Sequence, residues 1–325
     1  KQSPFAWSLL LVFLGTAIHL VMGFSTELSV DEAHYALYAN HLAWSYFDHP
    51  PLVGWIQWPL VAINAPDGIL RLIPITLWII SCFLVYHIAD QLDEYCTHRS
   101  LFIKAPTPNN PSYAGLAAVA IIVFAPLPHV LAVGLVPDSL LTPLSLGILW
   151  MSLQWLKQDG QLSFYQWIGL GLLFGLAGLS KYTAILYALA FAIACLSVPR
   201  FTFLRQSGFY IAIAIALLLI SPVLLWNAQY DWISFKYQID HGSGGDWLWR
   251  RLAAFLGIQL VVFGFLPILG LWAYSRMVGF AKRPFVSILL VFFILPFSVF
   301  AALSGGGGLP HWTSPAWFCL APIAG

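Results

Sequence analysis

Runs of roughly 17–25 apolar residues recur along the whole chain, each long enough as helix to cross the ~30 Å hydrocarbon core of a bilayer. Hydrocarbon offers no partner to a backbone amide or carbonyl, so only helices and closed barrels can span it. A barrel would alternate apolar and polar residues over short strands, whereas these runs are continuous. Spans are expected near 5–24, 70–89, 113–131, 137–155, 165–180, 182–198, 207–226, 251–275 and 285–303, with a truncated one from 312. The expectation is an all-α polytopic integral membrane protein, one transmembrane domain over 1–325 with outer loops at about 25–69 and 227–250.

Composition agrees. The 325 residues are 60% hydrophobic and 8% charged, with a mean hydropathy of +0.82, far outside the soluble globular range. A net charge of +1 gives no basis for a nucleic-acid partner. Cys82, Cys195 and Cys319 fall in spans and Cys96 in a loop; without a C-x-x-C they read as small apolar fillers. The first span reads as a retained helix, since no small-x-small cleavage site precedes the polar STELS stretch. The chain starts at Lys1 and stops at Gly325 within an apolar stretch, so it is expected to be trimmed at both ends. Two proline signals, Pro126-Leu-Pro128-His129 and Val136-Pro137-Asp138, break one long apolar stretch into two helices.

With the N-terminus in the cytoplasm, nine Lys/Arg fall inside and five outside (Arg71, Lys181, Lys236, Arg250 and Arg251), which agrees with the positive-inside rule. Acidic residues separate the other way, nine of thirteen falling outside. Loops distant in sequence therefore converge on one face, as an active site at the outer leaflet requires. Ionisable residues in so apolar a chain belong where water or a polar ligand meets them.

The densest such cluster lies in Ser29–Trp58. Asp31, His34, Tyr35, Tyr38 and His41 fall on one helical face, with Ala33, Leu37 and Leu42 opposite, which predicts a helix lying in the interface. Asp31 is either its N-cap or a reactive carboxylate, and with Glu32 adjacent one of the two can cap while the other reacts. Asp48-His49-Pro50-Pro51 is either a turn with a capping Asp or part of the site. Lys181, between two apolar segments, either snorkels or holds a phosphate as a point charge. The same logic extends more weakly to Arg71, Arg250 and Arg251. Asp138 divides between N-cap and cavity. His241 with Asp48 is a candidate pair of Zn²⁺ or Mn²⁺ ligands, Mg²⁺ being the other divalent ion considered. His311-Trp312 reads as an interface anchor or a sugar-stacking wall, and His19 and His87 as hydrogen-bonded helix contacts.

V-D-E-A-H-Y (30–35) followed by W-S-Y-F-D-H-P-P-L (44–52) resembles the bacterial dolichyl-phosphate-mannose protein mannosyltransferase-like glycosyltransferases, which include the aminoarabinose transferases. V-P-D-S-L-L-T-P (136–143), G-L-S-K-Y-T-A (178–184), N-A-Q-Y-D-W-I-S-F-K-Y-Q-I-D-H-G (227–242) and P-H-W-T-S-P-A-W (310–317) follow in order. The resemblance implies the GT-C fold, with interfacial helices in the first outer loop. It implies inverting transfer of a sugar from a polyprenyl-phosphate donor to a lipid, glycan or protein acceptor, on the outer face of the bacterial inner membrane. By the same resemblance Asp31 is the catalytic base, and Asp48 inherits a role in a donor or metal site. His49 stands where some relatives carry Lys. The sites expected are therefore Asp31 and Glu32 for catalysis, Asp48, His49, Tyr35, Asp138, Lys181 and Arg71 for substrate, and Asp48 with His241 for a metal.

The rival class is a secondary transporter or flippase. Those tend to carry ionisable residues near the midplane, on interrupted helices repeated in two halves. Here the ionisable residues gather at one boundary and no internal repeat is evident, which favours the enzyme.

Overall fold

The computed structural model describes residues 3–98, 112–196, 199–243, 246–265, 267–272 and 284–324, excluding the side chains of 96–98, 199–201 and 241–243. Among the described residues all regular structure is helical. In chain order the helices are α1 (Pro4–Ser25), α2 (Val30–Asn40), α3 (Leu52–Ala62), the single turn α4 (Asp67–Leu70), α5 (Leu72–His98), α6 (Ala114–Phe124), α7 (Pro126–Val133) and α8 (Pro137–Lys157). They continue with α9 (Phe164–Ser180), α10 (Ile185–Leu196), α11 (Ser207–Gln229), α12 (Ile233–Ser243), α13 (Trp249–Phe263), α14 (Pro284–Ser304) and α15 (Ser314–Ala324). Five helices, or six spans if the bent α6–α7 pair counts as one, are long and apolar enough to cross a membrane. The chain is a multi-pass membrane protein.

The centre of the bundle is α8. It packs on α5, α9, α10, α14 and α15, and its apolar residues Leu146, Ile148, Leu149 and Leu153 are wholly buried. The short α15 is buried from Ser314 to Ile323, inserted between α14, α8, α5 and α6. By contrast α1 and α11 present Phe13, Val21, Leu218 and Leu225 outward. That exposure is expected where lipid, as apolar as Leu, replaces water as the solvent.

The proline signals act differently from the expectation. The stretch read as one span, 113–131, is broken within itself: α6 and α7 meet at 74°. Pro126 sits at the first position of α7 and forces Ala125 into extended backbone, φ −83° and ψ 132°. Pro137 then starts α8, so the two signals delimit three helices instead of two. The Val123 carbonyl near the end of α6 accepts a hydrogen bond from His129 Nε2 (2.6 Å), and His129 Nδ1 meets His19 Nε2 of α1 at 2.7 Å. A break in hydrocarbon thus finds its polar partner inside the protein, as it must.

α9 packs closely on α11, and glycine sets the approach. A Cβ on Gly171 would lie 2.7 Å from the Ala212 carbonyl oxygen and 2.9 Å from Ala212 Cα, and Gly175 and Gly178 face Leu219 and Ile220 as closely. Small residues allow such approach, which gives dispersion contact where no hydrophobic drive exists between helices. Gly171→Ala is expected to force the two backbones apart and cost about 1–3 kcal/mol, the usual price of overpacking. Gly169→Ala on the same helix meets nothing within 4 Å and should be neutral or slightly stabilising. Thermal unfolding of the two variants in detergent checks the contrast.

Candidate active site

Two buried ion pairs organise one end of the bundle. In the first, Arg71, at the α4–α5 junction, donates from Nε to Glu32 Oε1 (2.7 Å) and from Nη2 to Glu32 Oε2 (3.1 Å). Its remaining protons go to the carbonyls of Gly23 (2.9 Å), Thr26 (2.6 Å) and Glu27 (2.7 Å) and to Thr26 Oγ1 (2.9 Å). The end of α1 and the start of α2 are therefore tied to α5 by one guanidinium, whose planar fork suits this many oxygens. Glu32 also closes a capping box: Ser29 Oγ accepts the Glu32 amide (3.3 Å) while Glu32 Oε2 accepts the Ser29 amide (2.8 Å). Burial pushes the Glu32 carboxyl upward, but Arg71 and the Ser29 bonds outweigh it and hold the group below its ordinary range.

This corrects two expectations. Glu32, read as catalytic, and Arg71, read as substrate-binding, are both buried and bound to each other, and neither lines the cavity described below. They are the clamp that orients α2. Ser29 is the N-cap, so Asp31, one of the two candidates for that role, is released from it and stands exposed at the second helical position.

The second pair is Asp138–Lys181. Asp138, at the start of α8, receives both of its hydrogen bonds from Lys181 Nζ, at 2.8 and 2.7 Å. Lys181 interrupts α9 and α10 in extended backbone, φ −157° and ψ 140°, ahead of the 3-10 turn Tyr182–Ala184. Its ammonium lies over the ring of Trp312 at 5.9 Å, and His311 Nε2 approaches Asp138 Oδ2 to 3.7 Å. Lys181 and His311 line the cavity, whereas Asp138 is buried behind them. Asp138, expected at the substrate, is buried and holds the lysine.

The cavity has a volume of about 630 Å³. Asp31 and Tyr35 of α2, Asp48 and His49 of the following loop, Lys181 and Tyr182 of the α9–α10 break, Tyr237 and Gln238 of α12, Phe300 and Leu303 of α14, and His311 and Trp312 line it. Four regions of the sequence, 31–49, 181–186, 235–239 and 299–312, thus converge. Asp48 does not cap α3, whose N-cap is Pro51 and has no side-chain bond. Its carboxylate instead accepts from Tyr38 and, at 3.1 Å, from His34 Nε2, while its carbonyl accepts from Gln238. Tyr38 is stacked on Tyr46 at 3.6 Å, and the Tyr46 hydroxyl donates back to the Tyr38 carbonyl (2.7 Å). The loop is thereby fixed against α2, and Ser234 of α12 is bonded to it through the Tyr46 carbonyl (2.8 Å). Burial and the carboxylates of Asp48, Asp138 and Asp31 push the Tyr35 hydroxyl well above its usual range, so it stays a neutral donor.

The side chain of His241 lies outside the described residues. Among those described, no three His, Cys, Asp or Glu come together as metal ligands, and both Asp48 oxygens are engaged by His34 and Tyr38. Among the described residues no metal centre is formed.

A second space went unread in the sequence. An apolar groove of about 660 Å³ runs between α9, α10 and α11, from Trp167, Phe203 and Phe209 to Tyr182 and Phe235. Tyr182, Ile185 and Phe235 line both groove and cavity, so the two spaces lie side by side against the same three side chains. The groove's lining along α9, Trp167 to Gly178, is about 17 Å long at 1.5 Å per residue, more than half the ~30 Å hydrocarbon thickness. The Lys-Tyr-Thr triplet after an apolar run was the one local signal for that shared wall; the groove walls are ordinary apolar residues and give none.

Residues 108–226 match the family of dolichyl-phosphate-mannose-protein mannosyltransferases. The chain is 26% identical to a lipid A galacturonosyltransferase, RgtD, of Rhizobium johnstonii, over 278 residues that cover 83% of this chain and 54% of that protein. Two crystal structures of ArnT from Cupriavidus metallidurans, one apo and one bound to undecaprenyl phosphate, superpose on 98% of this chain and 59% of theirs, with a TM-score of 0.69 and 18% identity. The fold is therefore the GT-C fold of polytopic membrane proteins, as the motifs implied. The chain spans somewhat more than half the length of these relatives.

The Glu32–Arg71 clamp generates a stability prediction. Arg71→Ala leaves a buried carboxylate unpaired and should cost about 3–5 kcal/mol. The Glu32 carboxyl is depressed in the folded state, so its contribution is full above the unfolded-state value of 4.5 and fades as pH falls through the folded-state value. Acidification below pH ~4 should therefore lower the wild-type melting temperature more steeply than that of Glu32→Gln, measurable by differential scanning fluorimetry.

Proposed function

We propose that the chain is a membrane glycosyltransferase that moves a sugar, with inversion, from a polyprenyl-phosphate donor to an acceptor at the outer face of the bacterial inner membrane. The observation that carries the reading is the adjacency of the two spaces: a cavity lined by the carboxylates of Asp31 and Asp48 and the ammonium of Lys181 shares Tyr182, Ile185 and Phe235 with a long apolar groove. A donor with a charged phosphate and a long hydrocarbon tail needs both, side by side. The apolar walls Leu170, Phe174, Ala188, Ala192 and Ile220 suit the tail, and the phosphate then falls near Tyr182 and Lys181. The matches to RgtD and to undecaprenyl-phosphate-bound ArnT support the same reading.

Asp31 is the base. It faces the cavity, is released from capping, and stands apart from both ion pairs, so it is free to take the proton of an acceptor hydroxyl or amine. That acceptor oxygen or nitrogen attacks the anomeric carbon from the face opposite the phosphate; the bond to the phosphate oxygen breaks, and the polyprenyl phosphate departs with its electron pair. Lys181, held by Asp138 at rest, stabilises the charge that develops on the leaving phosphate. Tyr35, kept as a neutral donor, and Asp48 lie on the cavity wall suited to sugar hydroxyls. A cavity of this volume joined to lipid favours a lipid acceptor over a folded protein.

Asp31→Asn should lower transfer by about 10²–10⁴-fold while donor binding persists; an Asn variant of wild-type rate contradicts the base assignment. Lys181→Ala should raise the dissociation constant for undecaprenyl phosphate, read by intrinsic tryptophan fluorescence, and Ala216→Phe in the groove should do the same without touching the cavity. Transfer itself is assayed by incubating purified protein with polyprenyl-phosphate sugars and a membrane extract, and identifying the product by mass spectrometry.

A further inference from the structure

In the resting cavity the Lys181 ammonium and the Asp138 carboxylate form a closed pair. Two ammonium protons are directed at the two Asp138 oxygens, at 2.8 and 2.7 Å, so an anion arriving from the groove meets a neutral dipole. The lysine can turn toward that anion only if something else takes its place at Asp138. His311 is positioned to do so. Its Nε2 lies 3.7 Å from Asp138 Oδ2, outside hydrogen-bond reach but at ion-pair distance, and its ring lines the same cavity as Lys181.

We propose that His311 takes up one proton from solvent as the donor phosphate binds, replaces Lys181 as the partner of Asp138, and leaves the cavity one positive charge richer at the phosphate. The inference rests on the donor reading above. The charged groups around the imidazole are Asp138 of α8, Lys181 of the α9–α10 break and Asp31 of α2. From α13, Gln259 donates to the Pro310 carbonyl (3.2 Å) and Arg251 is held on the carbonyls of Asp246 and Gly306; α14 contributes Phe300 against Trp312. Burial, with the Lys181 charge, holds His311 below the ordinary imidazole range despite the two carboxylates, so it is neutral at pH 7 before the anion enters. A phosphate beside Lys181, and a carboxylate partly vacated, both shift it the other way.

The sign follows from linkage. The complex binds one more proton than the free protein, so affinity falls as pH rises, by about tenfold per pH unit between the free and bound titration points. The probe is the methyl phosphodiester of undecaprenol, which, like a sugar diester, does not itself titrate near neutrality. Its affinity for the purified full chain in nanodiscs is measured from about pH 6 to 8.5, across the range where a shifted histidine titrates. Proton uptake is read by calorimetry in two buffers of different ionisation enthalpy.

Wild-type protein is expected to show the slope and uptake of about one proton per ligand. His311→Gln should bind weakly at every pH with neither slope nor uptake, and His311→Lys, carrying a fixed charge, should bind without pH dependence. Slope and uptake retained in His311→Gln, or absent from a wild-type protein that binds the diester, overturn the inference and leave the donor reading standing. Failure of the wild type to bind the diester at any pH overturns both.

Discussion

A charge in hydrocarbon has no partner except one supplied by the protein, and the site here is a consequence of how that constraint is met. The two buried ion pairs do different work with the same physics. Glu32–Arg71 gathers the end of α1, the start of α2 and the head of α5 around a guanidinium whose donors meet protein oxygens. Asp138–Lys181 links the first turn of α8 to the break between α9 and α10. Removing either partner of such a pair leaves a buried charge alone, so neither pair opens unless another charge takes the vacated place. What remains at the cavity wall, Asp31 and the lysine's cavity side, is what those pairs leave available for chemistry.

The large features were legible because their physics is one-dimensional. Span length, apolar continuity and the sorting of acidic residues depend only on the order of residues, and the interfacial helix of Asp31, Tyr35 and Tyr38 follows from 3.6-residue periodicity. Leu37 of its expected apolar face is exposed, whereas Leu42 lies beyond the end of α2 at Asn40. The ordered motifs carried the fold assignment further than any one of them could.

What was misread depends on partners remote in sequence. Glu32 and Arg71 are 39 residues apart, and Asp138 and Lys181 are 43; neither separation carries a local signature. The exception is the Ser29-x-x-Glu32 spacing, a capping-box signal that marks Glu32 as structural and releases Asp31. Pro126 was seen as a break, but not that Ala125 would turn the chain by 74° inside one apolar run. The groove between α9, α10 and α11 lies beside the close approach of α9 and α11 that Gly171 and Gly175 permit. Its walls, Ala188, Ala192, Ala216 and Ile220, look like any lipid-facing surface.

The central claim is that groove and cavity are one continuous binding site for a lipid-linked phosphate. Photo-crosslinking tests it most directly, using an undecaprenyl phosphate with a diazirine in its tail and mass-spectrometric mapping of the labelled peptides. The account predicts labels on α9, α10 and α11 among residues that line the groove, lost when the phosphate group is omitted. Labels concentrated on α1 and the outward face of α13, or labelling indifferent to the phosphate, would contradict it.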